Sequence, residues 1–112
     1  MDRMEQLINL VQQFRQERDW QQFHSPKNLA MALMVEAGEL TEHFQWLTQA
    51  QSLELSPETL QQVEEEMADV LIYLVNMADR LNVDLLEAAL AKIEKNRQKY
   101  PIEQVRGKAD KR

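Results

Sequence analysis

Two short acidic segments carry the residue types and spacing that chemistry would need. One is Glu36-Ala-Gly-Glu39 and the other is Glu66-Met-Ala-Asp69. In each, two carboxylates lie three residues apart, so a helix places them on one face, one turn from each other. Each pair runs directly into apolar sequence. If the two helices pack together, four carboxylates converge. Anions gathered at close range and partly out of water repel strongly unless a cation joins them. An all-oxygen donor set suits Mg²⁺ or Mn²⁺. A di-iron carboxylate bundle would want Glu-x-x-His pairs. His43 has Leu40 three residues before it and His24 has Gln21, so neither histidine fits that pattern.

The elements that must hold these acids read as helices. Apolar positions Met4, Leu7, Ile8, Val11 and Phe14 predict an amphipathic helix over about residues 2–19. Ser25-Pro26 is a cap followed by a first-turn proline, and predicts a second helix over about 26–47. A polar stretch, 48–55, reads as a loop. Ser56-Pro57 repeats the start signal for a third helix over about 57–81. Asp84, with Glu87 three residues on, opens a fourth over about 84–99, which Tyr100-Pro101 ends. The expected fold is an all-α, four-helix bundle formed by residues 1–101, followed by a loose polar tail over 102–112.

The helical wheel places the acids at the edge of the core. The apolar stripe of the second helix is Leu29, Leu33, Ala37, Leu40, Phe44 and Leu47, with Glu36 on its shoulder and Glu39 further round beside Trp46. On the third helix the stripe is Val63, Met67, Val70, Leu74, Met77 and Leu81. Glu66 and Asp69 share its shoulder with Tyr73 and Asn76. Leu71, Ile72 and Val75 make that helix apolar around most of its circumference, which predicts burial against another subunit as well. Gly38 costs ~1 kcal/mol relative to Ala inside a helix. Its position between the two glutamates predicts close approach by a neighbouring helix or a ligand.

Composition narrows the class. The chain of 112 residues carries 2 Gly and 3 Pro, and 44% of it is hydrophobic, which favours one helical domain over disorder. A net charge of −6 argues against a nucleic-acid or anionic-membrane partner. With 0 Cys there is no disulfide and no thiolate zinc site. No apolar run reaches membrane-spanning length and the first residues lack the apolar core of a signal peptide, so a cytoplasmic protein is expected.

These residues together resemble the all-α nucleoside triphosphate pyrophosphohydrolases, the MazG-like group, and look closest to its dCTP pyrophosphatase branch. The pattern E-x-x-E, spacer, E-x-x-D is carried by Glu36, Glu39, Glu66 and Asp69. Further marks are Arg18-Asp-Trp-Gln-Gln-Phe-His-Ser-Pro-Lys-Asn-Leu29, Glu39-Leu-Thr-Glu-His-Phe-Gln-Trp46, Asp69-Val-Leu-Ile-Tyr-Leu-Val75 and Asn96-Arg-Gln-Lys-Tyr-Pro101, and the likeness spans about residues 5–101. The resemblance implies Mg²⁺-dependent cleavage of a nucleoside triphosphate between the α and β phosphates, giving the monophosphate and pyrophosphate. It implies that Glu36, Glu39, Glu66 and Asp69 bind the metal, with Glu36 or Glu39 orienting the attacking water. Trp20, His24, Trp46 and Tyr73 would line the nucleotide pocket, and Asn96, Lys99 and Tyr100 would stand near the phosphates. It also implies a homodimer or homotetramer. Some relatives use a first-helix histidine for the nucleotide, and here the first helix has none, so dUTP or a broad set of triphosphates stands beside dCTP. A non-catalytic helical interaction protein, its acids mere surface charge, is the reading from another class. The two differ in their response to Mg²⁺.

Overall fold

The structure, a computed structural model, describes residues 1–108. Every regular element among them is helical. The chain divides into two compact units, Met1–Asn82 and a second beginning at Val83.

The first unit holds α1 (Arg3–Glu17), α2 (Pro26–Glu42), α3 (Gln49–Ser52) and α4 (Pro57–Arg80). The helix α4 is its centre and packs against both α1 and α2. Its start follows the sequence signal: the Ser56 hydroxyl accepts the Thr59 N–H, and Pro57 fills the first turn. Ser25 and Pro26 do the same for α2. Asp2 and Glu5 form a capping box at the head of α1. Both α1 and α4 stop at a residue in the left-handed region, Asp19 (φ 54°) and Asn82 (φ 56°). Asp and Asn tolerate that conformation better than other side-chain-bearing residues, and it turns the chain out of the helix.

Several expectations need correction. The helix α2 ends at Glu42, five residues short of the expected 47. From His43 onward the backbone switches to i→i−3 bonds, His43 N–H to Leu40 O and Phe44 N–H to Thr41 O. Thr48 must be extended (ψ 165°) to cap α3 through a reciprocal box with Gln51, so α2 cannot run into it. The stretch read as a loop therefore contains one helical turn. The buried face of α4 is also rotated from the apolar stripe. Met67 is 56% exposed and Leu74 and Leu81 are also open, while Glu66, Tyr73 and Asn76 turn inward beside Val63 and Val70. On α1, Arg15 is buried at 5% exposure where Phe14, at 50%, was expected to be. Finally, a Cβ placed on Gly38 meets nothing within 4 Å, so no close approach among the described residues explains that glycine.

The second unit holds α5 (Leu85–Lys99), capped by the Asp84 side chain on the Glu87 N–H, and α6 (Ile102–Val105). The tail expected to be loose thus begins with a helical turn, and its part from 109 on lies outside the described residues.

Candidate active site

The packing of α2 on α4 brings three of the four expected acids into one cluster. Glu36, Glu39 and Glu66 each offer a carboxylate oxygen, and those oxygens all lie within 4.8 Å of one another. Glu36 and Glu66 are half-buried, and the Oε2 atom of each is buried with no hydrogen-bond partner. Such an orphaned acceptor costs free energy unless a proton or cation reaches it. The Glu36 carboxyl is pushed up to about 7 by burial first, then by its hydrogen-bonding contact with Glu39 and by the charges of Glu39, Asp69 and Glu66. Glu66 is raised for the same leading reasons, partly countered by His43, whose Nε2 lies 3.9 Å from Glu66 Oε1. A cluster that fights its own ionisation in this way has the character of a cation site. The donor set and the orphaned oxygens fit a hard divalent ion such as Mg²⁺ or Mn²⁺.

The fourth acid, Asp69, stands outside this trio but lines a neighbouring cavity of about 420 Å³. The cavity lies between α1, the turn after it and α4. Its walls include Phe14, Trp20, His24 and Tyr73, with Arg15 and Asn76 as the other polar side chains. Asp69 therefore links the two features: its carboxylate borders the cavity, and its charge acts on Glu36 and Glu66. Trp20 is held edge-on by Phe14, with ring centres 5.8 Å apart, and lies 5.6 Å from the His24 ring. A half-exposed indole fixed in this way offers a face to a planar ring.

The expected substrate residues separate into groups. Trp20, His24 and Tyr73 come together at the cavity. Trp46 does not line it and stands 86% exposed in the turn after α2. In the second unit, Asn96, Lys99 and Tyr100 gather at the end of α5: Tyr100 N–H donates to Asn96 O at 2.8 Å, and Lys99 Nζ lies 5.5 Å from the Tyr100 ring centre.

A buried polar network was not foreseen. Arg15 Nη2 donates to Asp79 Oδ2 at 2.9 Å and Arg15 Nη1 donates to Asn76 Oδ1 at 2.5 Å. Gln12 Nε2 donates to the other Asp79 oxygen at 2.6 Å, and Asn76 Nδ2 lies 3.0 Å from His24 Nδ1. The signal available was position: Arg15 follows Val11 by four residues, on the stripe that also carries Leu7 and Ile8.

Comparison with known proteins agrees with this architecture. Residues 31–111 match the model of the MazG-like family, and the chain belongs to that family. It is 46% identical over 110 residues to dCTP pyrophosphatase 1 of Rattus norvegicus and 44% identical to that of Homo sapiens, in each case over 96% of this chain. The chain spans 65% of the length of these curated relatives. The crystal structure of a pyrophosphatase from Archaeoglobus fulgidus superposes with a TM-score of 0.85 at 41% identity, covering 90% of this chain and 94% of that one.

Proposed function

We propose that this chain is a divalent-metal-dependent nucleoside triphosphate pyrophosphohydrolase of the dCTP type, its domain formed by residues 1–101. It cleaves between the α and β phosphates to release the monophosphate and pyrophosphate. The observation that carries the reading is the Glu36–Glu39–Glu66 cluster, with its orphaned buried oxygens, joined through Asp69 to an aromatic-lined cavity. The names of the relatives, dCTP pyrophosphatase 1 and a pyrophosphatase, support it.

Glu36, Glu39, Glu66 and Asp69 would hold Mg²⁺, or Mn²⁺ in its place. Bound there, the metal would neutralise phosphate charge and stabilise the leaving pyrophosphate. Without it, an acidic site would repel a triphosphate. Trp20 stacks on the base, Tyr73 packs beside it, and His24 faces its edge. Glu36 or Glu39 would orient the attacking water. Trp46, Asn96, Lys99 and Tyr100 keep the substrate-binding roles that the family resemblance gives them.

The setting we infer is cytoplasmic, the task is nucleotide-pool housekeeping, and the partner is a second copy of this chain rather than nucleic acid or membrane. The exposed Met31, Met34 and Val35 on α2 and Met67, Leu71 and Leu74 on α4 support self-association. No helix among the described residues is long and apolar enough to cross a membrane.

The test is pyrophosphate release, with and without Mg²⁺, across dCTP, 5-modified dCTP, dUTP and the ribonucleotides. Mg²⁺-dependent pyrophosphate from dCTP supports the reading. Orthophosphate as the product, or no turnover of any nucleotide, overturns it.

A further inference from the structure

Arg15, Trp20, His24 and Asn76 all line the cavity, and hydrogen bonds join them to one another in a closed ring. The Trp20 N–H donates to Arg15 O at 3.0 Å, and the His24 N–H donates to Trp20 O at 3.0 Å. Side chains close the ring. Asn76 Nδ2 lies 3.0 Å from His24 Nδ1, and Arg15 Nη1 donates to Asn76 Oδ1 at 2.5 Å. Residue type decides the direction of each link. Arg15 carries only donors, so Asn76 must turn its carbonyl oxygen to the guanidinium and its NH₂ to the imidazole, whose Nδ1 accepts. Asn76 is 4% exposed and Arg15 5%, so these two side chains are shielded from water.

Trp20 is the member of the ring with least support of its own. It follows Asp19, whose left-handed backbone turns the chain out of α1, and it stands in the connection between α1 and α2. Its indole is 41% exposed and is placed by ring contacts with Phe14 and His24. A half-exposed side chain on a free turn samples several rotamers, and a ligand must then freeze it. Here Asn76 ties the connection to α4 at His24. The packing of α1 on α4 does not require that tie, because Arg15 and Gln12 already bond both oxygens of Asp79. What Asn76 adds is a link from α4 to the turn that carries the indole.

We infer that Asn76 is a positioning residue: by closing the ring through His24, it fixes the Trp20 indole at the cavity before a substrate binds. The ordering of the indole needs no nucleotide. Its consequence for binding rests on the proposed stacking of the base on Trp20. A face ordered in advance lowers the entropy lost on binding, so the contribution falls on KM rather than kcat.

Side-chain ¹⁵N relaxation of the Trp20 indole N–H, in the ligand-free 112-residue chain, reads that ordering directly. The wild-type order parameter is expected near ~0.85, as for rigid backbone. Asn76→Leu opens both side-chain links, and the value should fall below about 0.6. KM for dCTP should then rise about five- to tenfold with kcat little changed. Asn76→Asp is the conservative rescue. Its carboxylate accepts from Arg15, and His24 keeps the contact by carrying its proton on Nδ1 instead of Nε2. Order and KM should both stay within about twofold of wild type. Val63→Ala, which removes buried packing nearer the start of α4, should lower Tm without loosening the indole. A wild-type order parameter below about 0.6 overturns the inference without any variant. So does a folded Asn76→Leu protein with wild-type order, an Asn76→Asp protein as loose as Asn76→Leu, or a Val63→Ala protein loosened equally. A loosened Asn76→Leu enzyme with unchanged KM overturns the link to binding. If the order behaves as expected and no nucleotide yields pyrophosphate, the enzyme reading is refuted and the positioning stands.

Discussion

Replacing Glu36 by Gln should move stability in opposite directions depending on metal. Above pH 7 the Glu36 carboxylate is ionised and its oxygen lies within 4.8 Å of one on Glu39. With Glu39 exposed to solvent, a water-like dielectric applies, and the repulsion of that single pair is about 1 kcal/mol. In metal-free protein at pH 8, Glu36→Gln should therefore raise stability by at least about 1 kcal/mol, or Tm by at least about 4 °C for a domain of this size, with relief of the burial that leads the Glu36 shift adding to it. The gain should depend on pH in a defined way. A carboxyl raised from 4.5 to about 7 keeps its proton in the folded state over a range where the unfolded chain has released it. Wild-type stability accordingly falls as pH rises through that window and levels off above it. The two proteins should match near pH 4 and diverge by pH 8. Adding Mg²⁺ at about 100 times its Kd should stabilise the wild type by about 2.7 kcal/mol, roughly 10 °C, and the variant by far less. Thermal unfolding followed by circular dichroism at pH 4, 6 and 8, with EDTA or Mg²⁺, measures every arm. A metal-free variant less stable than wild type at pH 8, or a full Mg²⁺ response in the variant, would refute the electrostatic argument.

Other outcomes follow from the same structure. Asp79→Ala strands the buried Arg15 guanidinium, and should cost about 3–5 kcal/mol in urea unfolding. Gly38→Ala should stabilise by about 1 kcal/mol, because the added methyl meets open space; a loss instead would show that a second copy approaches there. Trp20→Ala removes the stacking face beside His24. It should raise KM for the nucleotide by about 5- to 150-fold with kcat little changed, matching a stacking contribution of ~1–3 kcal/mol.

The helix boundaries that were legible in the sequence are those with a side-chain signature. Ser25-Pro26, Ser56-Pro57 and Asp84 act as caps, as their chemistry demands. The end of α2 was missed because Thr48-x-x-Gln51 was read as polar loop rather than as the capping box it forms. The acid cluster was legible because two carboxylate pairs fell on core shoulders; the structure joins three of them and leaves Asp69 at the cavity. The rotation of α4 was not legible. Apolar periodicity counts oily residues only, and here the inner face carries Glu66 and Asn76 while Met67 and Leu71 face out. A helix that buries polar residues and exposes apolar ones inverts the signal on which a wheel depends.

The same inversion explains how one helix serves two tasks. The inner face of α4 gives Glu66 to the cluster with α2, and Asn76 and Asp79 to the network with α1, with Asp69 and Tyr73 at the cavity. The acid cluster must stay unsatisfied within the protein, since its orphaned oxygens are what a cation would fill. The Arg15–Asp79 network does the opposite: it pairs nearly every polar atom it buries and so holds its geometry before any ligand arrives. Its single unpaired donor, Arg15 Nε, belongs to a residue that lines the cavity. Along α4 the unpartnered buried oxygen is Glu66 Oε2, in the acid cluster, whereas the Asn76 and Asp79 side chains are hydrogen-bonded. A binding site on a small helical domain needs that division, because a uniformly satisfied interior leaves nothing for a ligand to complete.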